Sequence, residues 1–417
     1  MKTRNSLLIA TAVLASACTG NGSDAVNPGP PGPTSSLSTI DTSINKDGIV
    51  PLPATVDVRI SAVLDRYAEI TAPNGRRIHF LSQGSVSDAL LFRARALVRQ
   101  HFDDVAGSSL GADKTSVFNS MANGNATFVL VESSTSFDPI DVDVLTFMDF
   151  FDGLVYQLDA TTIVQEGSAA YMQPQPAIDM GLDASVKFAL RFGLSRALPQ
   201  FQDDLTAATA NALTNDLFRP ALGVPSEDVD DEYLGLALSV YYGIWGHDPN
   251  GNGTAGPNGE YNFSDRAAMV AGDPQMIAVI ESFFSPTEAF PAYLVDFFSG
   301  TFEMAFDPLI AYTHRSRYLE RAGLRGMLNA RINGNELDNV FLGGYFADSF
   351  EGRGGNDILE ANAGNDAAYF SGDLADYTII AVDDTVTRVT DNVANRDGVD
   401  ELRGIVQIHF ADQTINL

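Results

Sequence analysis

Residues 333–369 repeat themselves. The stretch reads NGNELDNVF, one extra residue (Leu342), then GGYFADSFE, GRGGNDILE and ANAGNDAAY, so four blocks align at a nine-residue period. An aspartate holds the sixth place of each block: Asp338, Asp348, Asp357 and Asp366. Two places later comes an apolar or small residue: Val340, Phe350, Leu359 and Ala368. A fixed period argues against a glycine- and aspartate-rich surface loop and for equivalent turns stacked on one another. The glycines Gly343, Gly352, Gly355 and Gly364 suit such turns, because glycine takes positive φ freely and leaves its carbonyl exposed. The last three residues of each block read as a short strand with the eighth-place residue turned inward.

The pattern resembles the nonapeptide repeat of RTX proteins, G-G-x-G-x-D-x-U-x. Gly354-Gly355-Asn356-Asp357 and Gly364-Asn365-Asp366 match it well, whereas Glu336 and Phe346 stand where the first two blocks need a fourth-place glycine. The resemblance implies a parallel β-roll around Ca²⁺, with successive blocks on opposite sides. Same-side pairs would then be Asp338 with Asp357 and Asp348 with Asp366, giving about two sites. Ca²⁺ is a hard cation that takes roughly six to eight oxygens, so turn carbonyls and aspartates make a natural cage. The expected ligand set is the four aspartates, the turn residues Gly343, Gly352, Gly355 and Gly364, and the amides Asn356 and Asn365.

The remainder of the chain places this module. With 417 residues, 45% hydrophobic, the length suits two or three domains. A net charge of −29 argues against nucleic acid and anionic membrane faces as partners. Residues 1–18 read as a targeting segment: Lys2 and Arg4 are followed by an apolar run over 7–14, too short to span a bilayer. Ala15-Ser16-Ala17-Cys18 resembles a bacterial lipobox, with Ala15 where leucine is usual. This implies acylation of Cys18 and a membrane anchor of several acyl chains; a plain cleaved signal is the alternative. Thr19, not aspartate, favours the outer membrane. Residues 19–48, rich in Pro, Gly and Ser, read as a linker.

Residues 49–328 read as a helix-rich α+β body. A hairpin is expected over 67–82 and strands over 126–132 and 301–306. Helices are expected over 86–105, 112–121, 183–194, 202–218, 227–245 and 274–284. The apolar stretch 148–162 is ambiguous between helix and strand. Residues 329–370 form the repeat module, and 371–417 read as a β cap with strands over 377–380 and 386–390. Within that cap, Asp397-Gly398-Val399-Asp400-Glu401-Leu402 resembles the segment that closes RTX rolls.

Catalytic motifs are sparse. The five histidines, His79, His101, His247, His314 and His409, include no pair within one helical turn, and no H-E-x-x-H, G-x-S-x-G or P-loop occurs. Asp248, Asn250 and Asn252 alternate ahead of Gly253 as in the first half of an EF-hand loop, and make a second candidate Ca²⁺ loop. A looser resemblance covers most of the chain: Gly111 to Lys114, Tyr241 to Gly246, Ser299 to Asp307 and Tyr312 to Leu319 are similar to an uncharacterised group of bacterial calcium-binding-repeat proteins. Members carrying Glu-Glu-x-x-His after the Asp183 equivalent imply a metallopeptidase ancestry. Here Lys187, Phe188 and Arg191 stand at those places, and a Lys and an Arg make neither a zinc site nor a general base.

The expectation is a non-catalytic, lipid-anchored protein of the bacterial cell envelope with a Ca²⁺-stabilised roll, facing the periplasm or the exterior. Its partners would be the membrane, through Cys18, and a protein or surface polymer. The alternatives are an envelope hydrolase of peptidase type, which would need His101, His247 and His314 to converge with a carboxylate, or its degenerate inactive relative, and a surface adhesin.

Overall fold

The computed structural model describes residues 36–53, 56, 58–132, 155–248, 256–257 and 259–417. The chain is mixed α/β, with helices and three sheets. It divides into two units. The first comprises Met1–Arg95, Lys114–Ile163 and Phe188–Pro199, and the second Ala96–Asp113, Val164–Lys187 and Gln200–Leu417. The targeting segment with Cys18 lies outside the described residues, as do Asn250, Asn252 and 133–154.

The first unit is built on five strands in sequential order: β1 (Val50–Pro51), β2 (Arg66–Thr71), β3 (Arg77–Ser82), β4 (Thr127–Val131) and β5 (Val155–Asp159). β2 and β3 form the expected hairpin, turning at Gly75, whose φ of +79° only glycine takes without strain. β3, β4 and β5 run parallel, which requires crossovers, and the helix Thr115–Asn123 lies on the first of them. β4 is buried at every position, as a strand covered on both faces must be. One face packs Tyr67, Leu81 and Val129 against Ile60 and Leu64. In another part of the core, Phe188 lies edge-on to Phe128 with ring centroids 5.2 Å apart. Leu37 and Ile40 join the Tyr67 cluster and are buried, so the stretch read as linker is partly structural: two apolar anchors sit among its Ser and Thr residues. Of the ambiguous stretch 148–162, the described part is β5 followed by a single 3-10 turn over Ala160–Thr162, which Asp159 caps.

The second unit begins with helices, among them Pro199–Thr214, Val229–Tyr241, Arg266–Gly272 and Pro274–Phe283. Their starts carry the expected chemistry. The Asp265 carboxylate accepts from Ala268 N–H at 2.9 Å, and Asp273 caps a helix whose first residue is Pro274.

The unit then becomes a two-sheet stack of short strands. They are β6 (Ala292–Tyr293), β7 (Gly300–Glu303), β8 (Arg321–Gly323), β9 (Ala330–Asn333), β10 (Val340–Leu342), β11 (Ser349–Glu351), β12 (Ile358–Glu360), β13 (Ala367–Tyr369), β14 (Tyr377–Ala381), β15 (Val386–Asp391), β16 (Val399–Arg403), β17 (Gln407–His409) and β18 (Thr414–Asn416). One sheet runs β14-β15-β16-β12-β10-β8-β6 and the other β18-β17-β13-β11-β9-β7. Successive strands from β6 to β13 thus alternate between sheets, and neighbours within each sheet are parallel. The inward residues Ala292, Phe302, Ala322, Ile332, Phe341, Phe350, Leu359, Ala368, Leu402 and Ile408 form one buried column. The stack begins at Ala292, ahead of the glycine-bearing blocks, because β6 to β8 supply the inward residue without the turn signature.

The register corrects the first block. Phe341, and not Val340, pairs across to Leu359 and is fully buried. The spacing from Ile332 through Phe341, Phe350 and Leu359 to Ala368 is then a strict nine, and Leu342 is no insertion. Asn339 takes the sixth place, Asp338 the fifth and Leu337, not Glu336, the fourth.

Candidate metal centre

The sixth-place side chains are buried and form a ladder. Each of Asp348, Asp357, Asp366 and Asp400 accepts a hydrogen bond from the peptide N–H of the sixth-place residue one same-side turn earlier, whereas Asn339 Oδ1 accepts from Asn335 N–H at 3.0 Å in its own turn. Asn339 N–H donates to Asp357 Oδ1 at 2.7 Å, and Asp357 N–H to Asp400 Oδ1 at 2.9 Å. On the other side, Ala330 N–H donates to Asp348 Oδ1 at 3.0 Å and Asp348 N–H to Asp366 Oδ1 at 2.7 Å. The repeat aspartates therefore satisfy buried backbone donors, which would be costly left unpaired. This role needs no metal.

The two sides then differ. Asp348 uses its second oxygen as well, accepting from Gly344 N–H at 2.8 Å. Asp357 Oδ2 is buried and has no hydrogen-bond partner. It faces Gly352, where an added Cβ would overlap it. Burial holds the carboxyls of both Asp357 and Asp400 well above the ordinary carboxylate range. The charges of Asp338 and Asp397 raise Asp357 further, and the charge of Asp357 does the same to Asp400. Asp348 and Asp366 are also raised by burial, against the lowering effect of the N–H groups they accept from.

Asp400 is the residue that sequence reasoning placed in the closing segment. Gly398-Val399-Asp400-Glu401-Leu402 spells places four to eight of a further repeat, and Leu402 pairs with Leu359. The signal was present but displaced by the β14–β15 hairpin, which separates Asp357 from Asp400 by 43 positions. Arg396 holds that hairpin, gripping Asp391 at 2.6 Å and Asp376 at 3.0 Å.

The other expected ligands fall as follows. Asp338 is exposed and accepts from Asn356 N–H at 2.7 Å; Asn356 Oδ1 accepts from Val399 N–H at 3.2 Å. Gly355 and Gly364 take φ of +105° and +135°. The Gly343 carbonyl accepts from the Asn362 amide at 2.6 Å, and Asn365 is exposed. Asp248 is half-buried, at the edge of the described residues.

His314 lies against Gly246, the chain neighbour of His247, and its charge helps to lower His247, yet among the described residues the histidines complete no metal-ready group. His101 Nε2 meets Ser185 Oγ at 2.9 Å, and His247 Nε2 donates to the Pro176 carbonyl at 2.9 Å. His314 packs edge-on to Phe306. Lys187 is ion-paired at 2.9 Å to both Asp183 and Glu232, Phe188 belongs to the aromatic core of the first unit, and Arg191 is half-buried. Among the described residues, no group of three or more His, Cys, Asp or Glu side chains stands ready for a metal, and no helix is long and apolar enough to cross a membrane. No protein-family model and no curated protein matches the chain.

Proposed function

We propose that the stack is an RTX-type parallel β-roll that takes Ca²⁺, in a non-catalytic protein anchored through Cys18 to the bacterial cell envelope. The observation that carries the metal reading is Asp357 Oδ2: a buried carboxylate oxygen without a partner, beside a second buried carboxyl, Asp400, and cradled by a glycine. The donors there are all hard oxygens, the set Ca²⁺ prefers. Asp357 and Asp400 would hold the ion, with Asp338 adding charge from the turn. Ca²⁺ would supply the neutralising charge that burial denies them. The Asp348–Asp366 side is a weaker site, because Asp348 already spends both oxygens on peptide donors.

A non-catalytic reading is supported by Lys187, whose ammonium is engaged by two carboxylates where the peptidase-like pattern has a carboxylate of its own. The test is thermal unfolding of the full chain in chelator and in millimolar Ca²⁺. The expected result is a Ca²⁺-dependent rise in Tm that Asp357→Asn abolishes, because a ligand bound only by the folded state stabilises it by mass action. An identical rise in the variant would overturn the assignment.

A further inference from the structure

The turns from the seven-stranded sheet to the six-stranded sheet lie directly over one another. Leu294 N–H donates to the Gly323 carbonyl at 2.9 Å, Leu324 N–H to Leu342 at 2.8 Å and Gly343 N–H to Glu360 at 2.8 Å. A Cβ added to Gly326 would overlap the Asp296 carbonyl, and one on Gly344 would crowd that of Gly326. The third places of these turns therefore form a column, and they are Phe297, Met327 and Tyr345, exposed by 84%, 69% and 60%. Beside them Leu328 and Phe346 are exposed by 44% and 41%. Strands in a sheet sit about 4.8 Å apart, so these five side chains make one continuous ridge roughly 10 Å long. The fourth place, glycine in the later blocks, is apolar here.

We propose that this ridge is a membrane-contact element that dips into the headgroup–acyl boundary of an uncharged lipid surface. Contiguous exposed apolar side chains mark an interaction site. These project from turn tips, as interfacial anchors do, and Tyr345 offers a polar end to the headgroups. Five side chains are few beside the roughly 20–30 residues that each partner of a standard protein interface contributes. The net charge of −29 opposes both a second copy and an anionic bilayer. A neutral lipid surface needs no opposite charge, and its hold comes from the apolar area that these side chains bury.

The test uses the full chain with Tyr345→Trp, mixed with phosphatidylcholine vesicles brominated near the headgroup. Trp245 is buried and gives a constant background. Leu309→Trp is the control: it is 92% exposed, on the turn from β7 to β8 at the opposite side of the stack. The emission added by Tyr345→Trp should fall by about half on binding, that of Leu309→Trp far less, and Met327→Ser with Phe297→Ser should restore it. Absence of quenching, or equal quenching at both positions, overturns the proposal. So does a blue shift that grows with protein concentration without lipid, which would assign the ridge to a second copy.

Discussion

His79 shows what burial does to one ring. It is 2% exposed on β3, its Nδ1 lies 2.9 Å from the Tyr67 hydroxyl, and burial lowers its pKa to about 4. His247, bonded to a carbonyl in the second unit, is likewise lowered to about 4 by burial. Both rings bind fewer protons folded than unfolded between pH ~6.5 and ~4, so their contribution to stability is present above that window and lost as pH falls through it. For His79 the loss is on the order of 3 kcal/mol. Urea unfolding at pH 7 and at pH 4.5 should show a smaller fall for His79→Gln than for the parent chain; equal falls would place the acid sensitivity elsewhere. None of this was legible in sequence, because a histidine between Ile78 and Phe80 reads the same whether its ring is buried or exposed.

At the scale of the turn and strand, much was legible. The nine-residue period yields β10 to β13, the inward Phe350, Leu359 and Ala368, and buried Asp348, Asp357 and Asp366. The slip at the first block arose because Asp338 offers the expected residue type one place early, while burial of Phe341 fixes the register. A one-residue slip turns a strand over, so only Phe341 inward completes the column. Asp400 was hidden by the hairpin insertion, and β6 to β8 by the absence of turn glycines. The glycines themselves divide by environment. Gly352→Ala would place its methyl on Asp357 Oδ2, whereas Gly343→Ala meets nothing closer than 3.3 Å. Gly352→Ala should therefore lower Tm in Ca²⁺ by several degrees, a cost of about 1–3 kcal/mol, with Gly343→Ala within roughly 1 kcal/mol of the parent. Melting curves of the two variants in millimolar Ca²⁺ decide this; equal shifts would mean that the Asp357 cradle is not tight.

For the whole molecule, the same stack presents two unlike sides. One holds Asp357 and Asp400 with an unused oxygen between repeats, and the other carries the Phe297–Met327–Tyr345 ridge. With a net charge of −29, a divalent cation held there would relieve repulsion that folding otherwise concentrates. The measurement that bears most directly on the metal reading is calorimetric Ca²⁺ titration of the full chain beside Asp357→Asn, Asp400→Asn and Asp348→Asn. Saturable binding is expected, with Kd about 10⁻⁴ to 10⁻³ M as in extracellular modules. The tightest site should be lost in Asp357→Asn and in Asp400→Asn and kept in Asp348→Asn. Binding that survives both changes, or no binding by the parent chain, would contradict it and leave the aspartates as a ladder for peptide donors alone.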